Sequence, residues 1–190
     1  VCSANALAKA GVLLADDTRP RHPLHLEQKR LQDFGVEFQA AGVDDVVDAA
    51  VDGEVVVDKR LRETHLGQWQ GKTHDEVDTE HDGARAVWRS DPTWAPPEGE
   101  SRIDVAQRSR AVVDELLDTY DEWGNSAVLL VAHGGTIAAL TASLLGLEVA
   151  QYPLFKGLGN ANTSRLVAMP RVDDPAQTQW YLEAWNRGSN

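Results

Sequence analysis

Apolar positions recur with a helical period most clearly between Ser101 and Tyr120. There Ile103, Ala106, Val112, Val113, Leu116 and Leu117 fall largely on one side. Downstream, Ala127 to Ala132 is a short continuous apolar run, the pattern of a strand buried on both faces. His133-Gly134-Gly135 breaks it, and Thr136 to Leu145 predicts an apolar helix ending near Gly146. Two more strands are expected over Thr163 to Met169 and Gln179 to Trp185. Upstream, β-branched Val55, Val56 and Val57 predict a short strand over Glu54 to Asp58. Leu61 to Lys72 reads as a Gly-punctuated loop. Thr73 followed by Glu76 is a capping box that should start a helix. A Trp- and Pro-rich connection spans Trp88 to Glu100.

The first 53 residues follow no such pattern. Leu7 to Ala15 is apolar, Asp16 to Pro23 is a Pro-broken turn, and Leu24 to Phe34 is compatible with a helix. Val43 to Ala50 is acidic and weakly patterned. Propensity and pattern disagree here, so no element is assigned. The remainder alternates helices with buried strands. That predicts one α/β domain, a three-layer sandwich with a mostly parallel central sheet.

Charge narrows the partners. A formal net charge of -12 argues against nucleic acid, whose binding rests on Lys and Arg neutralising phosphates. A few local cations can still make a pocket positive, so a small phosphorylated substrate is compatible. No stretch is long enough to span a membrane. Residues 1–6 lack a basic leader before an apolar run, so no signal peptide is expected. The sole cysteine, Cys2, permits neither an internal disulfide nor a Cys-based zinc site, which fits a cytoplasmic setting.

Two loops carry candidate chemistry. A strand ending in His133-Gly134-Gly135 and opening a helix is suited to an anion. Glycines admit close backbone approach, and the helix N-terminus offers free N–H groups. A carboxylate in a Gly-bounded loop, Glu63, can serve as a general acid. Each alone is weak, since most such residues are exposed or structural. Together they carry a resemblance. The run Leu61-Arg62-Glu63-Thr64-His65-Leu66-Gly67-Gln68-Trp69-Gln70-Gly71 resembles the acid-bearing loop of the histidine phosphatase (phosphoglycerate-mutase-like) superfamily. Val131-Ala132-His133-Gly134-Gly135-Thr136-Ile137 resembles its second histidine motif, and Gly99-Glu100-Ser101 its turn before a long helix. The match runs from about Val57 to the C-terminus. Trp94-Ala95-Pro96 through Ser101, with Asp104-Val105-Ala106, Arg108-Ser109-Arg110, Gly159-Asn160-Ala161 and Trp185-Asn186, is most similar to glucosyl-3-phosphoglycerate phosphatases within it.

The resemblance implies phosphomonoester hydrolysis through a phosphohistidine, without metal or other cofactor. Glu63 would be the proton donor, His133 the clamping histidine, and Gly134, Leu66 and Arg62 substrate-binding residues. It leaves room for a homodimer. The family opens on a strand running into Arg-His-Gly, which carries the nucleophile and the first Arg. No such motif precedes Val57. The nearest run, Arg21-His22-Pro23, replaces Gly by Pro and reads as a surface turn. Residues 1–53 are therefore expected to be an atypical segment in place of the first strand and helix, replaced or frame-shifted rather than divergent, and the least ordered part. The resemblance implies that residues 54–190 form the histidine phosphatase-like domain.

Three rivals remain. A catalytically inactive phosphoester-binding or interaction protein would keep the pocket and use exposed Trp residues; Trp88 and Trp94 are more simply lid or packing residues. A phosphoglycerate mutase would carry longer inserts before the acid-bearing helix. His74, Asp78 and His81 share a helical face, but an exposed acidic one, so no metal site is expected.

Overall fold

The computed structural model describes residues 10–14, 34–41, 56–120, 128–160 and 162–188. Six strands form one sheet, ordered β4-β1-β2-β5-β6, with β3 also beside β2. They are β1 (Ala10–Leu14), β2 (Phe34–Ala41), β3 (Val128–Leu130), β4 (Ala132–His133), β5 (Thr163–Pro170) and β6 (Thr178–Arg187). The helices are α1 (His74–Glu80), α2 (Ala84–Ser90), α3 (Arg102–Thr119) and α4 (Gly134–Leu144).

The expected α/β class holds. The direction of pairing differs from a mostly parallel sheet among the described strands, where β2 with β3 is the parallel pair. The pairings β1–β2, β1–β4, β2–β5 and β5–β6 are antiparallel. For β5–β6 the cause is local. A short connection, with Arg171 N–H donating to Gln177 O at 2.9 Å, makes a hairpin, and hairpins join antiparallel strands. The apolar run at Ala127 to Ala132 becomes two strands interrupted at Val131, which lets β3 pair with β2 and β4 with β1.

The expected strand at Glu54 to Asp58 is not formed over Val56–Asp58. Val56 and Val57 are 84% and 87% exposed, so among the described residues their β-branched side chains are not covered as a strand's would be. Asp58 instead caps a 3-10 turn over Lys59–Leu61, accepting from Arg60 N at 2.7 Å. Of the first 53 residues, to which no element was assigned, the described backbone covers β1 and β2; Arg21-His22-Pro23, residues 24–33 of the helix-compatible run, and Val43 to Ala50 lie outside the described residues.

Both long helices follow their sequence. The capping box at Thr73 and Glu76 starts α1, and a second one, Ser101 with Asp104, starts α3. From α3, Val112 and Val113 meet Ile137, Leu140 and Leu144 of α4, and both helices rest on Leu166 and Ala168 of β5 and Trp180 of β6. A second buried cluster brings Ala106 of α3 together with Ala139 and Ala142 of α4. This packing fixes the N-terminus of α4 against the sheet, and with it His133. No helix among the described residues is long and apolar enough to cross a membrane.

Candidate active site

The loop from Asp58 to Thr73 holds one arm of the site, and it is fastened from both sides. Gly67 has φ +53, and a Cβ there would lie 2.0 Å from Pro97 O, so only glycine fits. Gln68 N–H donates to the same carbonyl at 2.9 Å, and Glu100 N–H donates to His65 O at 2.7 Å. The Gly-bounded loop is thereby stitched to the Pro97–Glu100 turn.

Arg108 of α3 completes the stitching. Its Nη1 donates to Arg60 O at 2.6 Å and its Nη2 to Glu63 O at 3.1 Å. The same guanidinium forks onto Glu100, through Nε at 2.9 Å and Nη2 at 3.0 Å. Glu100 also accepts from His65 N–H at 2.9 Å and Arg62 Nη2 at 2.7 Å. Burial of the Glu100 carboxyl opposes its ionisation. The hydrogen bonds from Arg108 and His65, with the charges of Arg108 and Arg62, outweigh that and hold it below the usual carboxylate value.

The second arm is the start of α4. His133 is its N-cap residue, in extended conformation and with no side-chain capping bond. Its ring is left to face the loop, where Nδ1 lies 3.7 Å from Glu63 Oε2. Glu63 Oε1 accepts from Thr64 N–H at 2.8 Å. Thr136, fully buried in the first turn, donates from Oγ1 to Arg62 O at 2.9 Å and ties the loop to the helix. A Cβ on Gly135 would lie 3.1 Å from Glu63 Oε1, so a bare backbone faces the carboxylate. The α4 N-terminus carries partial positive charge and N–H groups that intrahelical bonding does not use. A carboxylate, an imidazole and a helix N-terminus thus converge on one partly exposed corner.

Of the residues predicted for the site, Glu63, His133 and Gly134 come together there. The Arg62 guanidinium turns instead to Glu100 and to Lys59 O. Leu66 starts the 3-10 turn Gly67–Trp69, where its N–H donates to Gln70 Oε1 at 3.2 Å. The residues that position Glu63, namely Arg108, Glu100 and Thr136, were not singled out as functional; an Arg within a helix pattern carries no sign of which carbonyls it will reach. Trp88 and Trp94 both pack on buried Trp69, at centroid distances of 6.1 and 5.5 Å. Asp78 pairs with Arg85 at 2.5 Å, and the His81 ring faces Trp69. Among the described residues no group of three His, Cys, Asp or Glu is placed to hold a metal ion.

The family model for the histidine phosphatase superfamily (branch 1) matches residues 45–187. A glucosyl-3-phosphoglycerate phosphatase of Mycolicibacterium vanbaalenii is 53% identical over 140 residues, covering 70% of this chain and 62% of the relative. One from Mycobacterium tuberculosis is 51% identical over 138 residues, with the same shares. The chain thus spans about three-fifths of the length of these curated relatives. A solved mycobacterial glucosyl-3-phosphoglycerate phosphatase in complex with inorganic phosphate superposes with a TM-score of 0.67 at 49% identity, covering 71% of this chain and 66% of that one. With a family model spanning most of its length and relatives at half identity, the chain belongs to the histidine phosphatase superfamily.

Proposed function

We propose that this chain is a phosphomonoester hydrolase acting on a small phosphorylated metabolite of the glucosyl-3-phosphoglycerate kind. In this reading the ester P–O bond breaks as Glu63 protonates the leaving oxygen and the phosphoryl group passes finally to water, while His133 and the first N–H groups of α4 hold the phosphoryl oxygens as charge builds on them. The single observation that carries it is the 3.7 Å approach of Glu63 Oε2 to His133 Nδ1 at a helix N-terminus. The names of the relatives at about half identity support the substrate class. The reading includes a metal-independent reaction in the cytoplasm, no nucleic-acid partner, and a homodimer. It keeps residues 54–190 as the histidine phosphatase-like unit, with β1 and β2 from the preceding segment pairing into its sheet.

Release of inorganic phosphate from glucosyl-3-phosphoglycerate tests it. Turnover that falls at least ~100-fold in Glu63→Gln and in His133→Ala supports the assignment, the size expected for a general acid or a charge-stabilising donor. Turnover unchanged in both variants defeats it. Isomerised rather than dephosphorylated 3-phosphoglycerate would identify a mutase.

One observation favours a second reading, phosphoester binding without turnover: these 190 residues contain no Arg-His-Gly. Its signature is retained, His133-dependent binding of the ester with no phosphate released.

A further inference from the structure

The segment Lys156-Gly157-Leu158 lies directly on the first turn of α4. A Cβ on Gly134 would stand 2.8 Å from Leu158 O and 2.9 Å from Leu158 N. A Cβ on Gly157 would stand 3.3 Å from the Gly134 carbonyl carbon and 3.5 Å from Gly135 N. Two backbones with no side chains between them are pressed together at the helix end that faces Glu63.

Adjacent residues of β6 hold both flanks of this segment. On one side Phe155 meets Trp185 edge-to-face, with centroids 4.7 Å apart. On the other, Asn186 Oδ1 accepts from Gly159 N–H at 2.8 Å and from Asn162 Nδ2 at 2.8 Å. Asn186 itself sits at φ +54, a conformation that asparagine tolerates better than most residues and that its side-chain bonds sustain. Leu158 is buried in the main core. That leaves Lys156 as the exposed, charged member of a segment fixed at both ends. Among the described residues its ammonium makes no hydrogen bond or ion pair. Most other cations around the site are engaged: Arg60 with Asp58 and Glu115, Arg62 and Arg108 with Glu100.

We propose that Lys156 binds a second anionic group of the substrate, the carboxylate of a phosphoglycerate-type ester, and that Asn186 is the positioning residue that holds the Lys156 segment against α4. The assignment deepens the phosphoester reading and rests on it. A phosphate held at the α4 N-terminus would place the rest of the ester beside this segment, within reach of a long, unpaired cation in a protein that is otherwise strongly acidic. Lysine suits the task, being a compact charge on a flexible stem that needs no fixed planar partner.

The test compares two phosphate esters, 3-phosphoglycerate, which carries a carboxylate, and 4-nitrophenyl phosphate, which does not. For the full chain, kcat and KM are measured with each, or equilibrium binding of each if turnover is absent. Lys156→Ala is expected to raise KM, or Kd, for 3-phosphoglycerate about 10-fold, as for loss of one charge-assisted contact. It should change 4-nitrophenyl phosphate by less than about 2-fold, and Lys156→Arg should restore most of the preference. Asn186→Ala should erode the same preference, and Asn186→Gly, which accepts the positive φ but lacks the carboxamide, should not rescue it. Preference unchanged in Lys156→Ala, or both esters weakened equally, overturns this assignment and leaves the phosphoester reading standing. A wild-type chain that neither binds nor cleaves either ester overturns both.

Discussion

Glu63 and His133, seventy positions apart in the chain, meet at 3.7 Å between Oε2 and Nδ1, and the contact is imposed by backbone anchoring rather than by their own attraction. Both side chains are partly exposed, at 40% and 31%, and a pair of that kind contributes ~0–1 kcal/mol at most. The anchoring lies one atom layer back. Thr136 holds the Arg62 carbonyl and Arg108 holds the Glu63 carbonyl, so the carboxylate is delivered to the start of α4 by its neighbours. A carboxylate that does not spend itself on a tight ion pair stays free to move a proton.

The two glycines that open α4 should therefore respond in opposite ways to a methyl group. At Gly135 the only tight contact of the added Cβ is with the far end of the Glu63 side chain, at 3.1 Å, which can swing aside, and Thr64 Oγ1 at 3.8 Å is ordinary contact. Alanine also favours a helix over glycine by about 1 kcal/mol. Gly135→Ala is expected to leave the melting temperature unchanged or higher while lowering turnover ~10-fold or more, because Glu63 is displaced. At Gly134 the Cβ meets the Leu158 backbone at 2.8 Å, which cannot yield without moving its whole segment. Gly134→Ala should lose ~2 kcal/mol. Thermal melts beside activity assays of the two variants check the contrast; equal effects on stability would refute it.

Arg108 is the residue whose loss should couple stability to activity. Its side chain is 13% exposed and its partner Glu100 is 16% exposed. Removing one member of a pair that lies mostly out of water strands the other, at a cost of ~3 kcal/mol. Arg108→Ala is expected to destabilise by about that much in urea unfolding and to reduce turnover, since the Glu63 carbonyl loses its donor. Arg108→Lys keeps the charge but cannot fork onto Glu100 while reaching two carbonyls. It should recover less than half of the lost stability. Full recovery would mean that charge alone matters.

How far this was legible in the sequence follows from which signals are local. The helix α3 and the Thr73–Glu76 capping box were readable because period and cap chemistry sit within a few residues of each other; the Ser101–Asp104 box is as local but was not read. Strands β5 and β6 are local for the same reason. The strand expected at Glu54 to Asp58 failed over its described part because β-branching states only that a residue suits a pleated, half-covered surface. Whether a neighbouring strand exists is decided elsewhere, and here Val56 and Val57 face solvent. Strand direction was also out of reach, since β2 pairs antiparallel with β5 across more than a hundred intervening residues that no window spans. At the site, Glu63 and His133 were singled out by the motifs around them, the loop running to Gly67 and Gly71 and the strand–His133-Gly134-Gly135–helix pattern. What no sequence window shows is the engagement of Arg62, whose guanidinium meets Glu100, brought from thirty-eight residues away.

The same Glu100 cluster sets an acid dependence. Its carboxyl titrates below the ordinary value of 4.5, so in acid the unfolded chain takes up a proton before the folded one does. The stabilisation is complete above that value and fades as pH falls through the lower, folded one. Wild-type stability should thus drop from about pH 4.5 downward, and Glu100→Gln, with no charge to lose, should flatten that part of the curve while lowering stability at neutral pH. Urea midpoints measured from pH 3 to 7 decide it. An acid limb equally steep in the variant would assign the dependence to other carboxylates, Asp58 foremost, whose hydrogen bond from Arg60 likewise lowers its value.

Ser101 offers a last and independent check, because it caps α3 at the point where the site loop is stitched on. Its Oγ accepts from Asp104 N–H at 3.2 Å and donates to Asp104 Oδ2 at 2.7 Å, while its own N–H donates to the same carboxylate at 2.8 Å. Unlike the exposed Thr73 box, it is 4% exposed, so water cannot replace what a substitution removes. Ser101→Ala is expected to cost ~1–2 kcal/mol, the upper part of the range for a lost N-cap, and Thr73→Ala nearer ~0.5. The first turn of α3 follows immediately on Glu100, which binds His65 and Arg62, so Ser101→Ala should also lower turnover whereas Thr73→Ala should not. Melting temperatures and kcat for the two variants test this directly. If Thr73→Ala proved the more damaging to activity, the path from α3 through Glu100 to Glu63 would not be what holds the acid in place.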